Sequence, residues 1–145
     1  MTKNTHFQYE YTIGETWASG FIKIDNNKFE FVCSYLISNP LEELLNSVYQ
    51  LVPNLAAFPR KQIDFTMLDE PFEYRWELNS INEENVKINI FFKGYDLSSE
   101  LVFEDICELN SLIKAIVQCI NSNPELRSNK NIERLYSGLK LHLKH

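Results

Sequence analysis

A chain of 145 residues that is 44% hydrophobic and 13% aromatic can bury roughly two thirds of its unfolded surface in one domain, so it needs no metal or disulfide staple. Cys33, Cys107 and Cys119 are odd in number and far apart, which excludes the close pairs of zinc and redox motifs and reads as small buried hydrophobes. The net charge of −6 is unevenly spread: residues 64 to 108 hold twelve acidic against three basic residues, whereas residues 109 to 145 sum to +4.

A segment with one sign of charge attracts an opposite partner and repels a like one, so the middle third argues for a basic protein and against nucleic acid. Five cations in the tail, Arg127, Lys130, Arg134, Lys140 and Lys144, are too sparse beside that field to bind phosphate. They are expected to fold back on the acidic face. His6, His142 and His145 have no acidic neighbour at ligand spacing, so neither a metal nor another cofactor is expected. Met1 to Thr12 lacks the basic-then-apolar order of a secretory signal. The longest apolar stretch, Leu112 to Ile120, is broken by Lys114 and Gln118. A cytoplasmic, membrane-free protein is the expectation.

Phe7, Tyr9, Tyr11 and Ile13 alternate with Gln8, Glu10 and Thr12, the two-residue period of a half-buried strand. Trp17 to Ile24 and Lys28 to Ile37 are rich in aromatic and β-branched residues. They flank Asp25-Asn26-Asn27, which tolerates the left-handed backbone of a tight turn, so they form a hairpin. Asn39-Pro40-Leu41-Glu42 opens a helix with a capping residue, a first-turn proline and a capping-box acid. Leu41, Leu44, Leu45, Val48 and Val52 continue it at helical spacing, and Pro53 ends it near residue 52.

Ile63, Phe65 and Met67 restore the two-residue period. A turn at Asp69-Glu70-Pro71 then leads into Phe72, Tyr74, Trp76 and Leu78, followed after a polar loop by Val86, Ile88, Ile90 and Phe92. The pattern implies an antiparallel meander, aromatic on one side and charged on the other. Residues 99 to 120 fit a continuous helix or a strand followed by a helix. The split is preferred, with Leu101 and Phe103 in a strand and Asn110 capping a helix that carries Leu112, Ile113, Ile116, Val117 and Ile120. Ile132, Leu135, Tyr136 and Leu139 mark a last helix. The expected fold is a single α+β domain over residues 1 to 145, an antiparallel sheet of six to seven strands covered by two to three helices in the order βββα-ββββ-α(α).

The sequence carries no glycine-rich phosphate loop, Gly-x-Ser-x-Gly elbow or His-Glu-x-x-His helix. Glu73 and Glu77 share a strand face but lie roughly 13 Å apart by strand rise, with Arg75 between them, too far to cooperate directly as acid and base. Their plain reading is a solvated face on which Arg75 bridges the two acids. Their sharper reading is a docking surface. Tyr74 and Trp76 read as core.

Ser34-Tyr35-Leu36, the leucines Leu41, Leu44 and Leu45, and Asp69-Glu70-Pro71-Phe72-Glu73-Tyr74-Arg75-Trp76 resemble a family of short, uncharacterised bacterial proteins with a Ser-Tyr-Leu strand end and a Glu-Pro-x-Glu-Tyr-Arg-Trp strand. The resemblance spans roughly residues 17 to 121. It implies a shared fold and a bacterial, intracellular origin. In size, acidity and scarcity of motifs the chain also looks like the immunity proteins of bacterial toxin systems. The expected function is therefore non-enzymatic: an immunity-type inhibitor that docks Asp69, Glu70, Glu73, Arg75, Glu77, Glu83 and Glu84 on a basic partner such as a toxin domain. A chaperone or adaptor holding a client protein, and a small enzyme with a dispersed site, are the alternatives.

Overall fold

A computed structural model describes residues 7–35, 39–96 and 98–144. Its order is β1 (Phe7–Ile13), β2 (Trp17–Ile24), β3 (Asn27–Ser34), α1 (Pro40–Leu51), β4 (Gln62–Asp69), β5 (Phe72–Ser80), β6 (Asn85–Lys93), β7 (Ser99–Glu108), α2 (Leu109–Ser122), a 3-10 turn (Pro124–Ser128) and α3 (Lys130–His142). The fold class and element order follow the sequence pattern. The single sheet does not: β1-β2-β3 and β4-β5-β6-β7 are separate antiparallel sheets.

The reason lies in the side chains. Tyr9, Ile22 and Phe29 align across the first sheet, and Phe65, Trp76 and Ile90 across the second. Each sheet therefore has its own apolar face, and each face covers the other. β3 crosses the larger sheet from edge to edge. Its first residue, Asn27, donates through Nδ2 to the Glu104 carbonyl and to the Asp105 carboxylate of β7, each at 3.1 Å. Cys33, near its other end, feels the charge of Asp69 on β4. Buried residues of both sheets and all three helices join in one core cluster.

Asp25 adopts the positive φ of 53° that the first hairpin requires, and Asn27 already belongs to β3. That strand, expected to run to Ile37, ends at Ser34, with Tyr35 already outside it; residues 36 and 37 lie outside the described residues, as do His6 and His145. Asn39 caps α1, its Oδ1 accepting from the Glu42 N–H at 3.1 Å. The Glu42 carboxylate accepts from Asn129, whose own Oδ1 caps α3. The two cap residues are thus joined through Glu42. The split at residue 108 stands, but Asn110 is not the cap. Glu108 takes that position, and Asn110 already lies inside α2, where its Oδ1 lies 3.0 Å from His142 Nε2.

The basic tail also departs from expectation. α3 packs on α1 and α2 through Ile132, Leu135, Tyr136 and Leu139 rather than on the sheet's charged face. Arg127 forms paired hydrogen bonds with Glu133 at 2.7 and 2.9 Å, and its guanidinium lies 4.7 Å from the centre of the Tyr136 ring. An apolar helical stripe finds more to bury against two helices than against a solvated strand face. No described helix is long and apolar enough to cross a membrane.

Candidate functional site

The outer face of the four-stranded sheet is charged, as its alternation predicts, but it is internally paired. Arg75 reaches Glu77 at 3.0 Å and Asp64 at 3.6 Å. Its guanidinium also lies 4.9 Å from the centre of the Phe91 ring. Glu73 pairs with Lys93 at 3.7 Å, and Lys87 with Glu104 at 3.2 Å. The expected bridge from Arg75 to both Glu73 and Glu77 is therefore corrected. The cross-strand register puts Lys93 directly opposite Glu73, which engages that acid, and puts Asp64 opposite Glu77 and so diagonal to Arg75, within reach of its long side chain.

The seven anticipated docking residues do not form one patch. Asp69 and Glu70 sit at the β4–β5 turn, whereas Glu83 and Glu84 sit at the β5–β6 turn. Successive hairpin turns lie at opposite ends of the strand they share, here roughly 26 Å apart for the length of β5. Glu73, Arg75 and Glu77 lie between them on the outer face. At the far end the Asn82 side chain accepts from the Glu84 and Asn85 amides, and Glu83, Glu84 and Glu108 line an open groove with His142.

The near end differs in character. The β4–β5 turn and the β6–β7 loop lie at this same end, so Asp69 and Glu70 share it with Asp96 and Glu100, and Lys93, already paired with Glu73, is the cation of the adjoining strand ends. Between these acids runs a chain of rings. Tyr95 meets Phe72 edge-on at 5.2 Å, Phe72 meets Phe92 at 5.3 Å, and Phe92 meets Tyr74 at 5.4 Å. Tyr95 is 79% exposed. A row of rings exposed at Tyr95 and half-buried beyond it, at a sheet end rich in carboxylates, suits a cationic side chain, which the ring faces and the acids attract together.

The electrostatics of the rim vary with local contact. Asp96 accepts at Oδ1 from the Ser98 hydroxyl at 2.7 Å and the Ser98 amide at 3.1 Å, which lowers its pKa and favours the carboxylate. Half-buried Asp69 is pushed the other way by desolvation. The Tyr74 hydroxyl is raised by burial and then by the Asp69 charge. Asp69 and Tyr74 also line an open groove with Glu10 and Glu30 of the smaller sheet, where Glu30 is held by Lys28 at 2.9 Å. The acidic surface thus extends onto residues from the balanced first third of the chain, which a charge count along the sequence does not detect. Phe72, Phe92 and Tyr95 were also missed as site residues, because alternation marks the first two simply as strand residues.

Cys33, Cys107 and Cys119 are buried and free. Burial pushes the first two thiols up to about 12 and the third to about 11, the Cys107 thiol being raised further by Asp105 and Glu108. These thiols stay protonated near neutral pH and lack nucleophilic character. Among the described residues no three His, Cys, Asp or Glu side chains are grouped as metal ligands would be. No family model, curated protein or solved structure matches this chain.

Proposed function

We propose that this chain is a non-enzymatic protein-binding domain of the immunity type, acting in the bacterial cytoplasm and docking on a basic partner such as a toxin domain. One observation carries the reading: exposed Tyr95 continues into the half-buried Phe72 and Phe92 rings at the sheet end that also carries Asp69, Glu70, Asp96 and Glu100, while the neighbouring cation Lys93 is already engaged by Glu73. Aromatic anchors inside a charged rim are the anatomy of a protein-binding hot spot, and unpaired rim charge speeds the encounter with an oppositely charged surface. The docking centre shifts accordingly, from the middle of the β5 face to the end of the sheet. Glu73, Arg75 and Glu77 become its flank, and Glu83 and Glu84 fall outside it.

The test is titration calorimetry against the purified product of the neighbouring gene. A one-to-one complex that weakens as salt rises, and that loses tenfold or more in affinity in the Glu70→Lys/Glu100→Lys variant, supports the reading. A complex indifferent to those reversals, or no complex with a basic neighbouring product, rejects it.

A further inference from the structure

The free edge of the four-stranded sheet is guarded over half its length and open over the other half. In the guarded half the Glu104 carbonyl accepts from Asn27, and the Ile106 N–H donates to the Asp105 carboxylate at 2.8 Å. Side chains thus occupy two of the outward backbone groups there. In the open half, residues 99–102 are all exposed, and β7 pairs with β6 alone. Leu101 and Val102 are 46% and 40% exposed. An edge of this kind is a template for an incoming strand, whose main chain supplies affinity and whose side chains supply selectivity.

The charge on β7 decides among occupants. The strand carries Glu100, Glu104, Asp105 and Glu108 and no lysine or arginine. A second copy would bring a strand of the same negative charge with no cation to face Glu100, which is unfavourable. The register shift between Ile90 and Phe91 leaves Val102 without a partner on β6, a bulge inside the open half, so only a short segment can follow this edge. We infer that Ser99–Phe103 of β7 accepts a short extended segment of the basic partner as a fifth strand, with a cation of that segment facing Glu100 and an apolar residue covering Leu101 or Val102. Because Glu100 pairs with Phe92, the added strand leads directly to the Tyr95–Phe72 platform. The inference rests on the proposed function for the partner's charge, and adds the mode of binding.

The test uses a ten-residue peptide of alternating lysine and valine, with residue-by-residue amide hydrogen exchange on the full chain. The peptide is expected to slow exchange within residues 99–103 by tenfold or more. A peptide of equal charge interrupted by proline should not. The Leu101→Lys/Val102→Lys variant, which changes only exposed side chains, should lose the protection while keeping the parent's melting temperature. Equal protection by the proline peptide overturns the inference, since charge alone would then suffice. So does peptide binding confined to Tyr95 and Phe72, or protection that grows with protein concentration in the absence of peptide. A calorimetric complex with the neighbouring product that leaves residues 99–103 unprotected rejects the added strand and leaves the proposed function standing.

Discussion

Phe29 meets Trp76 edge-on, with ring centroids 6.3 Å apart and planes at 78°, and through this contact the smaller sheet is joined to the middle of the larger one. Phe29 also meets Tyr74 at 5.2 Å and Phe103 at 6.5 Å, so one side chain meets three aromatic residues on two strands of the larger sheet. Phe29→Ala is expected to cost about 3 to 5 kcal/mol in chemical denaturation, the usual range for emptying a packed aromatic site. Trp76→Phe should cost less, because the buried Trp76 Nε1 has no hydrogen-bond acceptor among the described residues, and its removal relieves an unpaired polar group. A larger loss in Trp76→Phe than in Phe29→Ala would contradict this account of the sheet contact.

Gly20 and Gly138 both lack space for a side chain, yet their substitution should differ in outcome. A Cβ at Gly20 would lie 1.9 Å from the Glu10 carbonyl oxygen and 2.9 Å from Phe31 Cζ, so strand backbone must move. A Cβ at Gly138 would lie 2.8 Å from Tyr49 Cε2, the ring of a half-buried side chain between α3 and α1. Gly20→Ala is expected to destabilise by about 3 kcal/mol or more, the upper end of overpacking. Gly138→Ala recovers about 1 kcal/mol of helix propensity and should fall within about 1 kcal/mol of the parent. Melting curves of the two variants provide the comparison.

The three thiols and two buried tyrosines predict a specific alkaline limit. In the folded chain Cys33 and Cys107 ionise near 12 and Cys119 near 11, and burial also raises Tyr9 and Tyr11. The unfolded chain releases the thiol protons near pH 8.5. Between those values the folded state holds more protons, so stability falls as pH rises from about 9. Each buried thiol contributes up to about 1.4 kcal/mol per pH unit in that window. Cys107→Ala should therefore make the decline between about pH 9 and 11 shallower, whatever its effect at pH 7. An unchanged slope would show that the thiol is not shielded as its burial implies.

The sequence made the strands legible because strand period and burial coincide: Phe65, Met67, Trp76, Leu78, Ile88 and Ile90 all lie on the buried side of their strands. It made α1 legible because Asn39, Pro40 and Pro53 punctuate it. Sheet count was not legible, since alternation specifies which face is apolar and says nothing of what covers it. The site was half legible for a related reason. Asp69 and Glu70 stand out as charges, but their place beside Asp96, Glu100 and Tyr95 depends on two turns lying at the same end of a sheet. Conversely, Glu83 and Glu84 seemed neighbours of Glu77 only because sequence separation hides the length of a strand. The register sets Asp64 opposite Glu77 and therefore diagonal to Arg75, which a long guanidinium side chain spans but alternation along one strand does not reveal.

Asp69 links the stability of this end to its proposed use. Desolvation raises its pKa above the ordinary aspartate value, so the folded state disfavours the carboxylate relative to the unfolded chain. The sign follows: the charged group lowers stability at neutral pH, and the penalty fades as pH falls through the raised pKa and below about 3.9. Asp69→Asn should therefore melt higher than the parent at pH 7, with the gap closing toward pH 3. If the carboxylate is retained for a cation of the partner, the same variant should bind more weakly, trading affinity for stability. Thermal melts across that pH range, together with calorimetry at pH 7, separate the two effects. A variant that melts lower at pH 7 and binds unchanged would remove Asp69 from the docking surface and leave Glu70, Asp96 and Glu100 as its acidic rim.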